Sequence, residues 1–320
     1  YAVGGAPLIS NCSFIGNTGT SVWLNRSDAV IEATRFENNV VGALAGAFRS
    51  TAANVQIIRS TFLGNQGAVA SAILNEDGGS LSVEGCTFEN NVGGSAIANR
   101  GNARAVVMNS LFAQNQSGDF GGAVFHSGTN EFRLVNCTIA DNSAVNGGGG
   151  IFTQGNVVLL NSILWGNAVD YAGSRTVETM QVHVADGGVL NATNSCIEGL
   201  TVYAGNNNVP YNPLFVTGAS RYELGEFSPL IDAGNSAWVA GLASDLLWNP
   251  RETGASVDIG AFERTSFALG TVRIRSLSRS QSTCVDNPME LAVSGDLEPG
   301  QSFEWQVLNG ESEWVPVIPD

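Results

Sequence analysis

The chain has 320 residues, 43% hydrophobic and only 13% charged, with a net charge of -15 in which arginine supplies all 14 basic residues. An acidic chain without basic clusters is a poor partner for nucleic acid or an anionic membrane face, and no apolar run approaches the roughly 18–20 residues of a membrane span. The 39 glycines and the sparse charge point to an all-β architecture with many tight turns.

In chain order, one motif recurs. Aligned on its asparagine it reads NCSFIGN ending at Asn17, TRFENN at Asn39, STFLGN at Asn65, CTFENN at Asn91, SLFAQN at Asn115, NCTIADN at Asn142 and SILWGN at Asn167. The degenerate copy Asn194-Ser195-Cys196-Ile197 closes the series. An apolar column (Phe14, Phe36, Phe62, Phe88, Phe112, Ile139, Leu164) precedes each asparagine, and a small-residue column (Cys12, Thr34, Ser60, Cys86, Ser110, Cys137, Ser162) precedes that. Further back lie Ile9, Ile31, Ile57, Val83, Val107, Leu134 and Leu159, each two residues after a second apolar position. Spacings of two predict short strands, and the spacing of three between columns predicts a corner, often held by asparagine or glycine. After each asparagine a glycine-rich bend leads to a third strand, such as Ala72-Ile73 or Ala96-Ile97.

A period of about 25 residues, with three strands and three corners per repeat, predicts a stacked solenoid whose copies bury one continuous core. Leucine-rich repeats need leucines at fixed offsets and a helical return, which are missing, and propeller blades need a longer period. The expectation is a parallel β-helix of seven or eight coils over residues 1–200. Its Phe column is the core stack, and Asn17, Asn39, Asn65, Asn91, Asn115, Asn142 and Asn167 form a structural amide ladder.

The line N-C-T-F-x-x-N followed by G-G-A-I resembles the right-handed parallel β-helix repeats of bacterial surface proteins, including the polymorphic outer-membrane protein type, and this resemblance implies a right-handed parallel β-helix here. Beyond residue 200 the period fails. The segments NPLFV (Asn212 to Val216), YELGEFSPLIDAGN (Tyr222 to Asn235), SDLLWNPR (Ser244 to Arg251) and VDIGAFE (Val257 to Glu263) are similar to the choice-of-anchor Q domain of secreted bacterial proteins. Leu247-Trp248 departs from it, standing where a glycine commonly follows the Asp-Leu pair. This resemblance implies a C-terminal cap over residues 201–264 that closes the open last coil. Residues 265–320 alternate like half-exposed strands, with two strands expected around Asn309-Gly310, and Cys284 and Trp305 loosely resemble an Ig-like sandwich, of which the segment is too short to be more than a start. Both chain ends read as cut from a longer polypeptide.

Candidate chemistry is sparse. Cys12, Cys86, Cys137, Cys196 and Cys284 are widely spaced and odd in number, which gives neither a disulfide framework nor a zinc site, and the columnar ones read as small core filler. His126 and His183 have no partner motif and read as surface residues. Asp119, Asp141, Asp170 and Asp186 occupy non-equivalent positions, and Arg35, Arg59 and Arg133 stand singly, so no catalytic residue is assigned. Asp232, Asp245 and Asp258 are weak calcium candidates that read first as turn-forming carboxylates, with Arg251 as an ion-pair partner. Trp23, Trp165 and Tyr171 are candidate exposed aromatics. No cofactor is implied. The functional expectation is a non-enzymatic structural or adhesive rod segment of a secreted or cell-surface bacterial protein, with glycans or other surface proteins as partners. A carbohydrate-binding module and a β-helical polysaccharide lyase or hydrolase are the alternatives.

Overall fold

The computed structural model describes residues 2–170, 175–185, 187–218, 221–239, 241–264, 306–308 and 314–316. The chain divides into two compact units, Tyr1–Thr265 and Ser266–Asp320. In the second, Gln306–Leu308 and Trp314–Pro316 pair antiparallel, flanking Asn309-Gly310; the rest of the Ig-like expectation, with Cys284 and Trp305, lies outside the described residues.

In the first unit, residues 2–169 wind about six turns of an all-β parallel solenoid. Three parallel sheets run its length: an 11-stranded first sheet, and second and third sheets of eight strands each. The reading of seven or eight coils counts the last strands Val182–Val184, Val189–Thr193 and Cys196–Ile197 as well, which continue all three sheets after a detour through the short helix Val177–Gln181. Strand register follows the sequence columns. In the second sheet Ile31 pairs with Ile57, Ile57 with Val83, Val83 with Val107 and Val107 with Leu134. In the third, Phe14 pairs with Phe36, and so on through Phe62, Phe88, Phe112, Ile139 and Leu164 to Ile197.

The inside of each coil is filled by these columns. The rings of Phe36, Phe62 and Phe88 stack with centroids 4.8 Å apart and planes within 5°, close to the strand spacing that sets the rise per coil. Corners between the second and third sheets take a left-handed backbone at Asn11, Ala33, Arg59, Gly85, Asn109, Asn136, Asn161 and Asn194. A second left-handed corner precedes every ladder asparagine, at Gly16, Asn38, Gly64, Asn90, Gln114, Asp141 and Gly166.

The asparagines saturate their side chains. Asn91 Nδ2 donates to Asn115 Oδ1 at 2.9 Å and to the Phe62 carbonyl at 2.9 Å. Its Oδ1 accepts from the Asn65 backbone N–H at 2.9 Å and from Asn65 Nδ2 at 3.0 Å. Four bonds use both donors and both lone pairs of the amide, so an aspartate, with no donor, could not replace it. The same pattern runs from Asn17 to Asn167, and the last rung is Gln181, whose Oε1 accepts from Asn167 Nδ2 at 2.7 Å.

The small-residue column is more than filler. These hydroxyls and thiols donate to the carbonyl two residues back, and several also accept an N–H from the preceding coil: Cys86 Sγ donates to Glu84 O and accepts from Ser60 N at 3.4 Å, and Ser162 Oγ donates to Leu160 O and accepts from Cys137 N at 3.0 Å. Cysteine here is a sulfur rung in a hydroxyl ladder. Burial pushes the Cys86 and Cys137 thiols up to about 12, which keeps them protonated as donors. Cys86, Cys137 and Cys196 are free and buried, and Cys12 is free and exposed.

The segment after residue 200 departs from the expected plug. Only its first part closes the last coil: Leu200 and Tyr203 pack on the core, while Asn206 O, Asn208 Oδ1 and Val209 O accept the backbone N–H groups of Asn194, Ser195 and Ile197. Those groups would otherwise form an open sheet edge. Glu178 anchors this turn, accepting from the N–H groups of Thr201, Val202 and Tyr203 and from the Thr201 hydroxyl at 2.6–3.2 Å. From residue 210 the chain runs back along the side of the solenoid as a lateral arm, covering the outer face of the third sheet. Leu224, Leu230, Ile231 and Ile259 pack on Ile163 and Cys196; Tyr222, Leu246, Ala261 and Phe262 pack on Leu111, Ala113 and Ala140. The reason is visible in the rod: outward positions of the third sheet turn apolar at Leu111, Ala113, Ala140 and Ile163, and a face that apolar must be covered.

Candidate functional site

The corner asparagines dock the arm. Asn109 Nδ2 donates to Ser244 O at 2.8 Å, and Asn161 exchanges bonds with the Asn235 backbone through Nδ2 (3.0 Å) and Oδ1 (2.9 Å). Between them Asn136 turns its oxygen to Arg251 Nε at 2.9 Å. The Gly260 N–H donates to Asn161 O at 2.8 Å, and Gly260 is required there: its φ is +112°, and a Cβ would lie 2.7 Å from Ile163 Cδ1.

Arg251 is 2% exposed and is the arm's internal tie. Its Nη2 donates to Asp258 O at 2.8 Å and Gly260 O at 2.9 Å, with Glu263 at 3.8 Å. The three calcium candidates sit around it but do not converge. Asp258 accepts the N–H groups of Asp232 and Arg264, each at 2.7 Å. Asp245 accepts those of Leu247, Asn249 and Glu263 at 2.8–2.9 Å. Asp232 contributes its backbone N–H to this set. Among the described residues no group of three or more His, Cys, Asp or Glu side chains is arranged to hold a metal ion. Burial raises the Asp258 carboxyl to about 6, against the pull of its N–H donors. Burial, then the nearby Asp258 charge, raises Glu263 to about 7.

The dispersed candidates stay apart. Asp119 accepts from Asn146 Nδ2, Asp141 accepts the Tyr222 hydroxyl at 3.0 Å, and Asp186 and Tyr171 lie outside the described residues. Arg35 pairs with Glu37, Arg59 with Glu32 and Arg133 with Glu131. Trp23 and Trp165 are half-buried, Trp23 under the Arg49 guanidinium at 4.5 Å.

The surface reading of His126 is corrected: its side chain is fully buried. It continues a second polar ladder in the first sheet, in which Asn75 Nδ2 donates to Asn99 Oδ1 at 2.7 Å and Asn99 Nδ2 meets His126 Nδ1 at 3.2 Å. Burial pushes its pKa down, so the ring is neutral. His183 is half-buried, receives Arg175 Nη1 on Nδ1 at 2.9 Å and is also shifted down, by burial and then by that charge. The first-sheet ladder mixes residue types, so no repeated letter marks it in the sequence.

One open cleft of about 340 Å³ lies where the arm's tip reaches the uncovered coils. Its floor is the outer face of the third sheet, with Thr61 and Thr87 in register and Glu89 beside them. One wall is Trp248, half exposed, with Arg59 stacked 4.7 Å from its ring centroid. The other is Arg221, which stacks on Tyr222 and reaches Glu89 Oε1 at 3.2 Å. Arg59, Tyr222 and Trp248 all hold left-handed backbones, with φ of 52°, 75° and 69°. For residues of this size such a backbone costs roughly 1–2 kcal/mol each. The sequence reading passed over Trp248 as a departure from a resemblance; its position beside Arg59 follows only from the arm's fold-back.

Set against known proteins, the chain matches no family model, no curated protein and no solved structure.

Proposed function

We propose that this chain is a stiff, non-enzymatic structural or adhesive rod segment of a large secreted or cell-surface bacterial protein. The observation that carries the mechanical part is the unbroken amide ladder from Asn17 to Gln181. Every coil is tied to the next by side chains as well as by three sheets, so stretching along the axis must break many bonds at once. Right-handed winding belongs to the same reading, because crossovers between parallel strands of one sheet take that hand almost without exception. The bacterial surface context rests on the resemblance of the repeats and of residues 201–264 to surface and anchor-associated segments.

The test is mechanical. Residues 1–264, flanked by reference domains, are pulled by single-molecule force spectroscopy. Unfolding in steps at forces above those of the reference domains, lowered by Asn91→Ala, supports the rod. Extension at low force without steps overturns it. Protease shaving of intact producing cells tests the address: release of fragments containing this segment supports the surface, and full protection counts against it.

A further inference from the structure

We infer that the cleft between Trp248 and Arg221 is a binding site for a neutral oligosaccharide, with the exposed indole as the stacking platform and Glu89, Arg221, Thr61 and Thr87 as hydrogen-bonding partners of ring hydroxyls.

Geometry carries this first. The cleft joins one half-exposed aromatic wall to a floor of hydroxyls and a carboxylate–guanidinium pair. A pyranose ring has the matching halves: an apolar face of C–H groups for the indole, and vicinal hydroxyls that both donate and accept. Glu89 and Arg221 present acceptor and donor side by side, 3.2 Å apart, which suits a diol. At 28% and 47% side-chain exposure both are accessible to a ligand.

Backbone strain is the second, independent observation. Trp248 holds φ 69°, a conformation that bulky residues avoid, 4.7 Å from Arg59, whose own left-handed backbone is the corner common to every coil. Strained residues persist where the surrounding structure holds them, and they cluster at ligand sites. A clasp for the arm's tip does not explain the choice of tryptophan, since Asn109, Asn136 and Asn161 already fix the arm with hydrogen bonds.

Charge selects the class. Arg59 is engaged by Glu32 at 2.6 Å and Arg221 by Glu89, and Glu223 adds a further carboxylate to the lining. Each guanidinium here is already balanced by a carboxylate, and the whole chain carries -15. An acidic glycan is therefore disfavoured against an uncharged one. The inference does not rest on the rod reading: the solenoid is stiff whether or not the cleft is filled.

The test is titration calorimetry of the chain with hexasaccharides of neutral β-glucan, mannan and xylan, and with hexagalacturonate as the acidic control. At least one neutral probe is expected to bind, with a Kd on the order of 0.1–1 mM, and hexagalacturonate is expected not to. Trp248→Gly removes the indole and suits the left-handed backbone. It is expected to melt at or above the parent's temperature and to lose binding at least tenfold. Glu89→Gln is expected to weaken binding several-fold with an unchanged melting temperature. Binding by none of the neutral probes, binding of hexagalacturonate alone, or binding that survives Trp248→Gly overturns the assignment. A large drop in melting temperature for Trp248→Gly also overturns the strain argument, because it makes Trp248 a clasp.

Discussion

The outer face of the third sheet comes in two halves that share one interior. In the early coils its outward residues are Arg35 and Glu37, Thr61 and Leu63, Thr87 and Glu89, in contact with solvent or the open cleft. In the later coils they are Leu111 and Ala113, Thr138 and Ala140, Ile163 and Trp165, under the lateral arm. The adjacent corners change with them, from Ala33, Arg59 and Gly85 to Asn109, Asn136 and Asn161. Behind both halves one apolar column runs from the stacked phenylalanines through Phe112 to Ile139 and Leu164, and the asparagines ladder without a break. Inside and outside of a coil are thus separate problems: the repeat settles the first, and the arm's docking settles the second.

The largest effect should come from cutting the arm's tie. Arg251→Ala leaves Asn136 and two carbonyls without their donor and removes the charge beside Glu263. It should cost about 3–5 kcal/mol and free the arm while sparing the rod. Limited proteolysis is the check: new cuts within 210–264 with the solenoid intact are expected, and an unchanged digest would deny the arm's dependence on Arg251.

The interior should not distinguish the halves. Phe88→Ala and Phe112→Ala should each cost about 3–5 kcal/mol through a core cavity, since both side chains are fully buried in one stack. Denaturant melts that differ widely between the two would mean that the arm reaches into the core energetics. Asn91→Ala removes a rung and orphans buried groups on both neighbouring coils, at about 1–3 kcal/mol. An unaltered denaturation midpoint would count against a ladder that bears load.

Proton linkage separates the arm from the solenoid's end. Asp258 and Glu263, raised to about 6 and about 7, bind protons more tightly folded than unfolded. Their contribution is full below the ordinary carboxylate pKa of about 4 and is lost as pH rises through about 6–7. The arm should therefore melt higher at pH 5 than at pH 8, and Glu263→Gln should shrink that difference. Glu178 has the opposite sign. Burial alone would raise its pKa, but the Thr201 hydroxyl and three N–H donors outweigh it and hold the carboxyl low, so its contribution is present at neutral pH and lost only under stronger acid. A melting temperature that climbs from pH 5 to pH 8 would contradict the arm's assignment.

The smallest effect is expected at Glu89→Ala. Its pair with Arg221 is solvent-screened, and the loss should stay below about 0.5 kcal/mol. A larger loss in thermal melts would mean that the cleft edge fastens the arm.

The columns made the solenoid legible before any coordinates. Spacings of two and three specify strand and corner, and one asparagine per coil announces a ladder because an amide side chain can donate to the next coil while accepting from the last. Gln181 escaped notice because the chain leaves its period between residues 170 and 181. His126 was misread because its ladder changes residue type from coil to coil, from Asn75 and Asn99 to an imidazole. The arm's track was half legible, in the apolar turn of the outward positions at Leu111, Ala113, Ala140 and Ile163.

What the sequence determined by itself is everything that repeats, since a local period is also a three-dimensional one when identical coils stack. Only the tertiary structure decided where residues 210–264 go, and with them the meeting of Trp248 with Arg59 and of Arg221 with Glu89. Those partners lie 189 and 132 positions apart, in segments with no shared period. Their contact depends on a non-repeating chain finding the apolar stretch at Leu111, Ala113, Ala140 and Ile163.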